Sequence, residues 1–453
     1  MNEIRVLAPT AILGYGFPRE SFERGMAASP HVIAVDGGST DPGPAYLGAG
    51  TSFVDRDSVR RDLALIVPAG LGSGIPIIIG TAGGSGARPH VEWCLDIISE
   101  ILAHEGREAR VAVIWADVSK KLLAEALRAG QVRPLEFVPE LTPEAIDDSS
   151  HIVAQFGVEP IISALSKPVD IVVAGRCYDP AAFAALPIRE GFDPGLALHL
   201  GKILECGAIA ATPGSGRDCL LGRLYKDFFV VETLNPERRL TEASVAAHTL
   251  YEKPHPYLLS GPGGHLDLSE SRYQQTSPSS VEVRGSRFVP EDRYSVKVEG
   301  ARQVGYRTIA ICGVRDPITI QHLDVLYDGV RAAVGDNFGD RSFHLQFRTY
   351  GKDGVMGPLE PEADVTGHEV GIVLDVVAPT QDEANTICGF ARSTALHYGF
   401  PGRVTTAGNL AFPFSPSDLP VGPVYEFSVY HLLEVDDPLA LFPVERMTLG
   451  GAP

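Results

Sequence analysis

The run Ile75-Pro76-Ile77-Ile78-Ile79-Gly80-Thr81-Ala82-Gly83-Gly84-Ser85-Gly86-Ala87-Arg88-Pro89-His90 decides how the rest of the chain is read. Three consecutive Ile make a short apolar segment that suits a strand buried on both faces, and the glycine-rich bend after it leads into a periodic segment. There Val91, Cys94, Leu95, Ile98, Ile101 and Leu102 recur at helical spacing, with Pro89 near the first turn, where a missing N–H costs nothing. Strand, glycine bend and helix in that order predict free backbone N–H groups aimed into the bend, an arrangement suited to a carboxylate or phosphate. The glycines Gly83, Gly84 and Gly86 equally allow close packing of strand on helix. The pattern is neither G-x-G-x-x-G nor a P-loop, so no dinucleotide is implied.

The chain has 453 residues, 44% apolar and 21% charged, enough for two domains with a large core. A net charge of −19, without a Lys/Arg cluster, argues against nucleic-acid binding. No segment reaches the roughly 18 to 20 apolar residues of a membrane span. The opening Met1-Asn2-Glu3-Ile4-Arg5-Val6-Leu7 reads as a first strand rather than a signal peptide, so a cytoplasmic location is expected. Six single cysteines, Cys94, Cys177, Cys206, Cys219, Cys312 and Cys388, form no C-x-x-C pair and signal neither a zinc ribbon nor a disulfide framework.

Outward from the glycine bend, the alternation of strands and helices predicts an α/β domain with a mainly parallel sheet and flanking helices. The His31 to Val35 strand ends in Asp36-Gly37-Gly38-Ser39-Thr40-Asp41-Pro42-Gly43-Pro44, a loop able to bind through Asp36, Ser39 and Thr40. Arg110 to Trp115 is a further strand, Lys120 to Arg128 a helix, and Thr142-Pro143 a helix start. The Val169 to Ala174 strand ends in Gly175-Arg176-Cys177-Tyr178-Asp179-Pro180. A helix predicted around 196–210 carries His199, Lys202 and Cys206 on one stripe with Glu205 beside them, where a thiol next to Lys202 or His199 would be activated. Lys and Glu at that spacing equally suit a solvated face. His248 and His265 are further single histidines. Asp36, Asp41, Asp55 and Asp57 supply oxygens that would suit a divalent metal, although carboxylates near turns are more often caps.

Past Gly300 the predicted order changes to β-α-β-β-α-β, the pattern of a smaller α+β, ferredoxin-like domain. The expected division is therefore 1–295 for the α/β domain and 296–453 for the second, with no low-complexity linker or internal repeat.

The chain resembles the acyclic terpene utilisation family of AtuA-like proteins, also described as a domain of unknown function. The resemblance rests on Val169-Asp170-Ile171-Val172-Val173-Ala174-Gly175-Arg176 with Asp179-Pro180, on Gly201 with Leu204-Glu205-Cys206-Gly207, and on Leu250-Tyr251-Glu252, and extends over roughly residues 4–380. Lys202 stands where the terpene branch has His after Gly, and Ser260-Gly261-Pro262-Gly263-Gly264 where it has Pro-Asp, which suggests a subfamily with a different substrate. The resemblance implies catabolism of branched or short-chain organic acids or their CoA thioesters, without an established catalytic assignment.

The expected activity is that of a lyase, hydratase or isomerase on a small organic acid or acyl-CoA thioester. Arg176 would clamp a carboxylate and the Gly83-Gly84-Ser85-Gly86 backbone would hold a second anion or an enolate. Asp179, Glu205, Cys206, His199 and Lys202 would move protons. A Cys206-dependent hydrolase and a non-catalytic acyl-binding subunit are the alternatives. The partners expected are a small-molecule substrate and further copies of the chain, with no nucleic acid and no membrane; no cofactor is implied, and CoA as part of the substrate and a divalent metal both stay open.

Overall fold

A computed structural model describes residues 2–251, 254–362, 364–404 and 409–451. The chain divides into two compact units, Met1–Arg302 with Phe427–Pro453, and Gln303–Glu426. The expected division at 295/296 ran the second domain to the C-terminus, whereas the final segment in fact returns to the first unit. The strand Val444–Gly450 pairs antiparallel with Glu108–Ile114.

The centre of the first unit is a ten-stranded sheet. Five strands, Ile4–Ala8, Val32–Asp36, Ile77–Gly80, Ile171–Ala174 and Glu108–Ile114, run parallel in that spatial order. Alternate residues explain why these segments are largely apolar. Val6, Ala34, Ile78, Ala112 and Val172 enter the core on one face. Leu7, Ile33, Ile77, Val111 and Ile171 enter the core on the other. The helices Arg56–Ser73 and Arg88–Glu105 bury Leu63, Ile66, Val91 and Ile98 against the second face, and Ala181–Arg189 and Pro194–Leu204 cover the first.

The sheet is mixed, which corrects the expectation of a mainly parallel one. Leu220–Leu224 and Phe229–Thr233 form a hairpin that lies antiparallel beside the first strand. The ribbon Arg272–Ser277 and Ser280–Arg284 continues it outward. The hairpin signal was present in Leu220-Leu221-Gly222-Arg223-Leu224, the polar Lys226-Asp227 and Phe229-Val230-Val231, where the turn closes through Tyr225 N–H donating to Phe228 O at 2.8 Å.

The second unit has the element order strand, helices, two strands, helix, strand. His344–Tyr350 pairs antiparallel with Val370–Ala378, which pairs with residues 306–314. The helices Leu323–Phe338 and Gln381–His397 contribute Val330, Val334, Ile387 and Ala391 to a core with Ile372 and Leu374. Thr380 caps the second of these helices by accepting from Glu383 N–H, with Asp382 and Glu383 favourably placed in its first turn. Among the described residues no helix is long and apolar enough to cross a membrane.

Candidate active site

Three neighbouring parallel strands end at one edge of the sheet, and their last residues carry the polar groups. Asp36 is in register with Gly80 and Ile79 with Val173, so Asp36, Thr81 and the Gly175-Arg176-Cys177 segment emerge together. Thr81 Oγ1 accepts from Cys177 N–H at 3.2 Å, tying two of the three exits. The glycine bend packs against the second of these two exits, at Arg176. Gly86 O accepts from Arg176 N–H at 3.2 Å, and with φ at +67° a Cβ on Gly86 would stand 2.1 Å from Arg176 N. Only glycine permits that approach.

Arg176 is fully buried and held on several sides. Its Nε donates to Glu299 Oε2 at 2.8 Å, and its Nη1 donates to Asp179 Oδ1 at 3.3 Å and to Cys177 O at 3.2 Å. Glu299 Oε1 in turn accepts from Thr40 Oγ1 at 2.6 Å and Lys297 Nζ at 2.8 Å. Burial alone would push the Glu299 carboxyl up, yet the Arg176 and Lys297 charges hold it down at about 2. Its two cations rise above their ordinary values through the same attraction, against the effect of burial.

A second pair closes the site from the helix Pro194–Leu204. Lys202 Nζ donates to Glu205 Oε1 at 2.5 Å, with both side chains buried. The Glu205 carboxylate keeps the Lys202 ammonium charged against burial, with Cys206 and Asp179 adding to the effect. The helix reaches this position because Gly201 sits on Pro180, where a Cβ would stand 2.6 Å from the Pro180 carbonyl oxygen. Behind these groups lies Asp36, buried and pushed well above its ordinary value by burial first and by the Asp179 charge second. The shift favours the acid form of the Asp36 carboxyl, and its Oδ1 has no hydrogen-bond partner among the described residues.

In front of the cluster is a cavity of about 570 Å³, of the size that holds small-molecule ligands. Arg176, Asp179, Lys202 and Lys297 line it from within, Arg133 and Tyr430 from the side, and the Ser260-Gly261-Pro262 turn forms a further wall.

Residues 60–215 and 227–411 match the model of the acyclic terpene utilisation family protein AtuA, most of the chain. The chain belongs to the acyclic terpene utilisation family. No curated protein and no solved structure matches it. The match to the AtuA family takes in Arg176, Asp179, Lys202, Glu205, Lys297 and Glu299, whereas Asp36, Thr40 and Tyr430 lie outside the matched segments.

The other candidates in this AtuA-family chain are placed as follows. Gly83, Gly84, Ser85 and Gly86 are buried, and none is on the wall of the cavity. Gly84 packs on Phe53 and Gly83 on His90, so the bend acts here by packing and by seating the Arg176 backbone. Thr40 joins the Glu299 network, while Ser39 Oγ accepts from Asp41 N–H at 3.1 Å within its own loop. The shared stripe of His199, Lys202 and Cys206 is corrected. The helix ends at Leu204, Cys206 lies in the turn beyond it, and His199 points elsewhere. Its Nδ1 is 2.7 Å from Ser286 Oγ and its Nε2 3.0 Å from Thr249 Oγ1, against the Phe229 ring. Cys206 is half-buried, close enough to Lys202 to influence its charge, and does not line the cavity. His248, depressed to about 4 by burial and by Lys202, stacks on Tyr251. Of the Leu250-Tyr251-Glu252 motif, Glu252 lies outside the described residues.

The four aspartates considered as metal ligands do not converge. Asp55 caps its helix by accepting from Ser58 N–H, and Asp57 borders a separate groove with Arg60 and Glu100. Among the described residues no group of three or more His, Cys, Asp or Glu is placed to hold a metal.

Glu299, Lys297, Arg133 and Tyr430 had not been singled out. The first two had a signal: Val296 and Val298 alternate with Lys297 and Glu299 in a strand, so two opposite charges share one face between apolar residues.

Burial depresses His199 to about 3, which makes stability depend on acid. A histidine whose folded value lies below its unfolded one, near 6.5, contributes stability that is present above about pH 6.5 and lost as pH falls toward the folded value. The slope for one such group is up to about 1.4 kcal/mol per pH unit. Urea midpoints at pH 7.5, 6 and 5 are therefore expected to fall less steeply in His199→Gln than in the wild type. Equal slopes would show that His199 is not the buried neutral group.

Proposed function

We propose that the protein is a proton-transferring enzyme, a lyase, hydratase or isomerase, acting on a small organic acid or its acyl thioester. The observation that carries the proposal is a pair of carboxyl groups in unlike surroundings: Asp179 on the cavity wall beside Arg176, and Asp36 buried behind it, where burial and the Asp179 charge favour its acid form. Two carboxyl groups in such unlike surroundings support a division into base and acid, which abstraction of a proton at one atom and delivery at another requires.

Arg176, Lys297 and Arg133 supply positive charge toward the cavity, which supports binding of a carboxylate and stabilisation of an enolate oxygen. Asp179 takes the substrate proton, and Asp36, which is not on the cavity wall, resupplies the proton path from behind it. Lys202, tied to Glu205, holds the far wall and donates toward an oxygen of the substrate. The element order of the second unit supports a ferredoxin-like sandwich there.

Exchange is the direct test. Small carboxylates and acyl thioesters incubated with the protein in deuterated water are expected to exchange a proton next to the carbonyl, followed by NMR. Asp179→Asn is expected to slow exchange by about 10² to 10⁴. If no such acid or thioester binds or exchanges, the proposal fails.

A further inference from the structure

A second cavity of about 230 Å³ lies beside the first and differs from it in kind. Its walls are mostly apolar, with Ile162, Ile188, Leu198, Leu259, Leu266 and Phe288 among them. Tyr178, Gly261 and Pro262 line both cavities, so the two share one partition. The partition is tight because Gly261 has no side chain: a Cβ there would stand 2.9 Å from the Tyr178 ring. Ile162, on the helix Glu159–Leu165, and Leu266, on the strand Gly264–Asp267, come from elements that carry none of the charged cluster.

We infer that the apolar cavity takes the hydrocarbon tail of the molecule whose anionic head occupies the charged cavity, which makes the substrate amphipathic. The inference rests on the charged cavity being the substrate site. Glu159, the charged side chain among its lining residues, is engaged by the Tyr294 hydroxyl at 2.7 Å, so the chamber offers mainly hydrocarbon wall, against which a ligand gains from each methylene buried. Its location fixes the direction in which the tail runs, past Tyr178 and away from Lys297. Its volume fixes the length. An apolar cavity of about 150 Å³ admits a benzene ring, so the present one suits a chain of about six to nine carbons.

The experiment is a binding series with straight-chain carboxylates from acetate to dodecanoate, measured by calorimetry on the full chain. Affinity is expected to rise about threefold to fourfold per methylene and to stop rising once the tail fills the cavity. Ile162→Trp is expected to move that break to shorter chains and Ile162→Ala to longer ones. Both are expected to leave the affinity for acetate and butyrate unchanged, with circular dichroism confirming that each variant is folded. If short acids bind, and lose binding in Arg176→Lys, but affinity is flat with chain length or blind to both Ile162 variants, the inference is overturned and the charged site stands. If no acid binds, the series is repeated with the matching acyl thioesters, and failure of both to bind overturns the substrate class and the inference together.

Discussion

Glu299→Gln is expected to lower stability at neutral pH by about 3 to 5 kcal/mol, the usual loss when one partner of a buried ion pair is removed. The Glu299 carboxylate is fully buried and stands between two cations, Arg176 and Lys297, with Thr40 donating to one of its oxygens. The amide of Gln keeps the shape but loses the charge, and its NH₂ would face donors on one side or the other. Two buried positive charges are then left without their counter-charge. The dependence on pH separates this account from a simple packing fault. A carboxyl held at about 2 in the folded state, below its unfolded value, contributes stability that is present above about pH 4.3 and lost as pH falls toward 2. The denaturation midpoints of wild type and Glu299→Gln are thus expected to lie far apart at pH 7 and to approach each other by pH 3. A gap that stays constant over that range would attribute the loss to packing instead. Exchange activity is expected to fall as well, because the guanidinium of Arg176 loses the bond that aims it.

The same residue shows why part of the site could not be read from the sequence. Arg176 and Asp179 follow a short apolar strand in a parallel sheet, and strands of that kind end where ligands gather, so their position was legible from the run Ile171 to Ala174. Glu299 has no such local mark. Its partners Arg176 and Thr40 lie 123 and 259 positions away in the chain. The helix Pro194–Leu204 misled for a different reason. A stripe at helical spacing implies a common environment only when the opposite face is solvated, and here every residue from Gly195 to Leu204 is buried. His199 and Lys202 therefore serve separate compartments, one against Phe229 and Ser286, the other beside Glu205. The sheet follows the same logic. The parallel strands Val32–Asp36 and Ile77–Gly80 are buried at every residue and read as unbroken apolar runs. The edge strand Arg272–Ser277 has no buried residue, which leaves no hydrophobic period to find.

Asp36→Asn is expected to lower turnover by about 10² to 10⁴ while raising stability at alkaline pH, a combination that a structural role alone would not give. Asn matches the acid form that burial favours in size and hydrogen-bonding groups, so the folded state tolerates it, but it has no acidic proton to deliver. Asp36 is raised by burial first and then by the negative charge of Asp179, with Glu205 adding a smaller push. A carboxyl whose folded value is raised contributes stability that is fully present below its unfolded value, about 3.9, and is lost as pH climbs through the folded value. That loss proceeds at up to about 1.4 kcal/mol per pH unit and is absent from the Asn variant. The denaturation midpoint of Asp36→Asn should therefore rise relative to the wild type as pH increases. Asp179→Asn supplies the complementary measurement, because removing that charge takes away the second cause of the shift. In a ¹³C-aspartate NMR titration, the Asp36 carboxyl is expected to titrate at lower pH in Asp179→Asn than in the wild type. Wild-type turnover in Asp36→Asn would remove Asp36 from the proton path and leave Lys202 as the donor facing the cavity. An unmoved titration in Asp179→Asn would show that burial alone holds Asp36 in its acid form, and that the two carboxyl groups do not act as a pair.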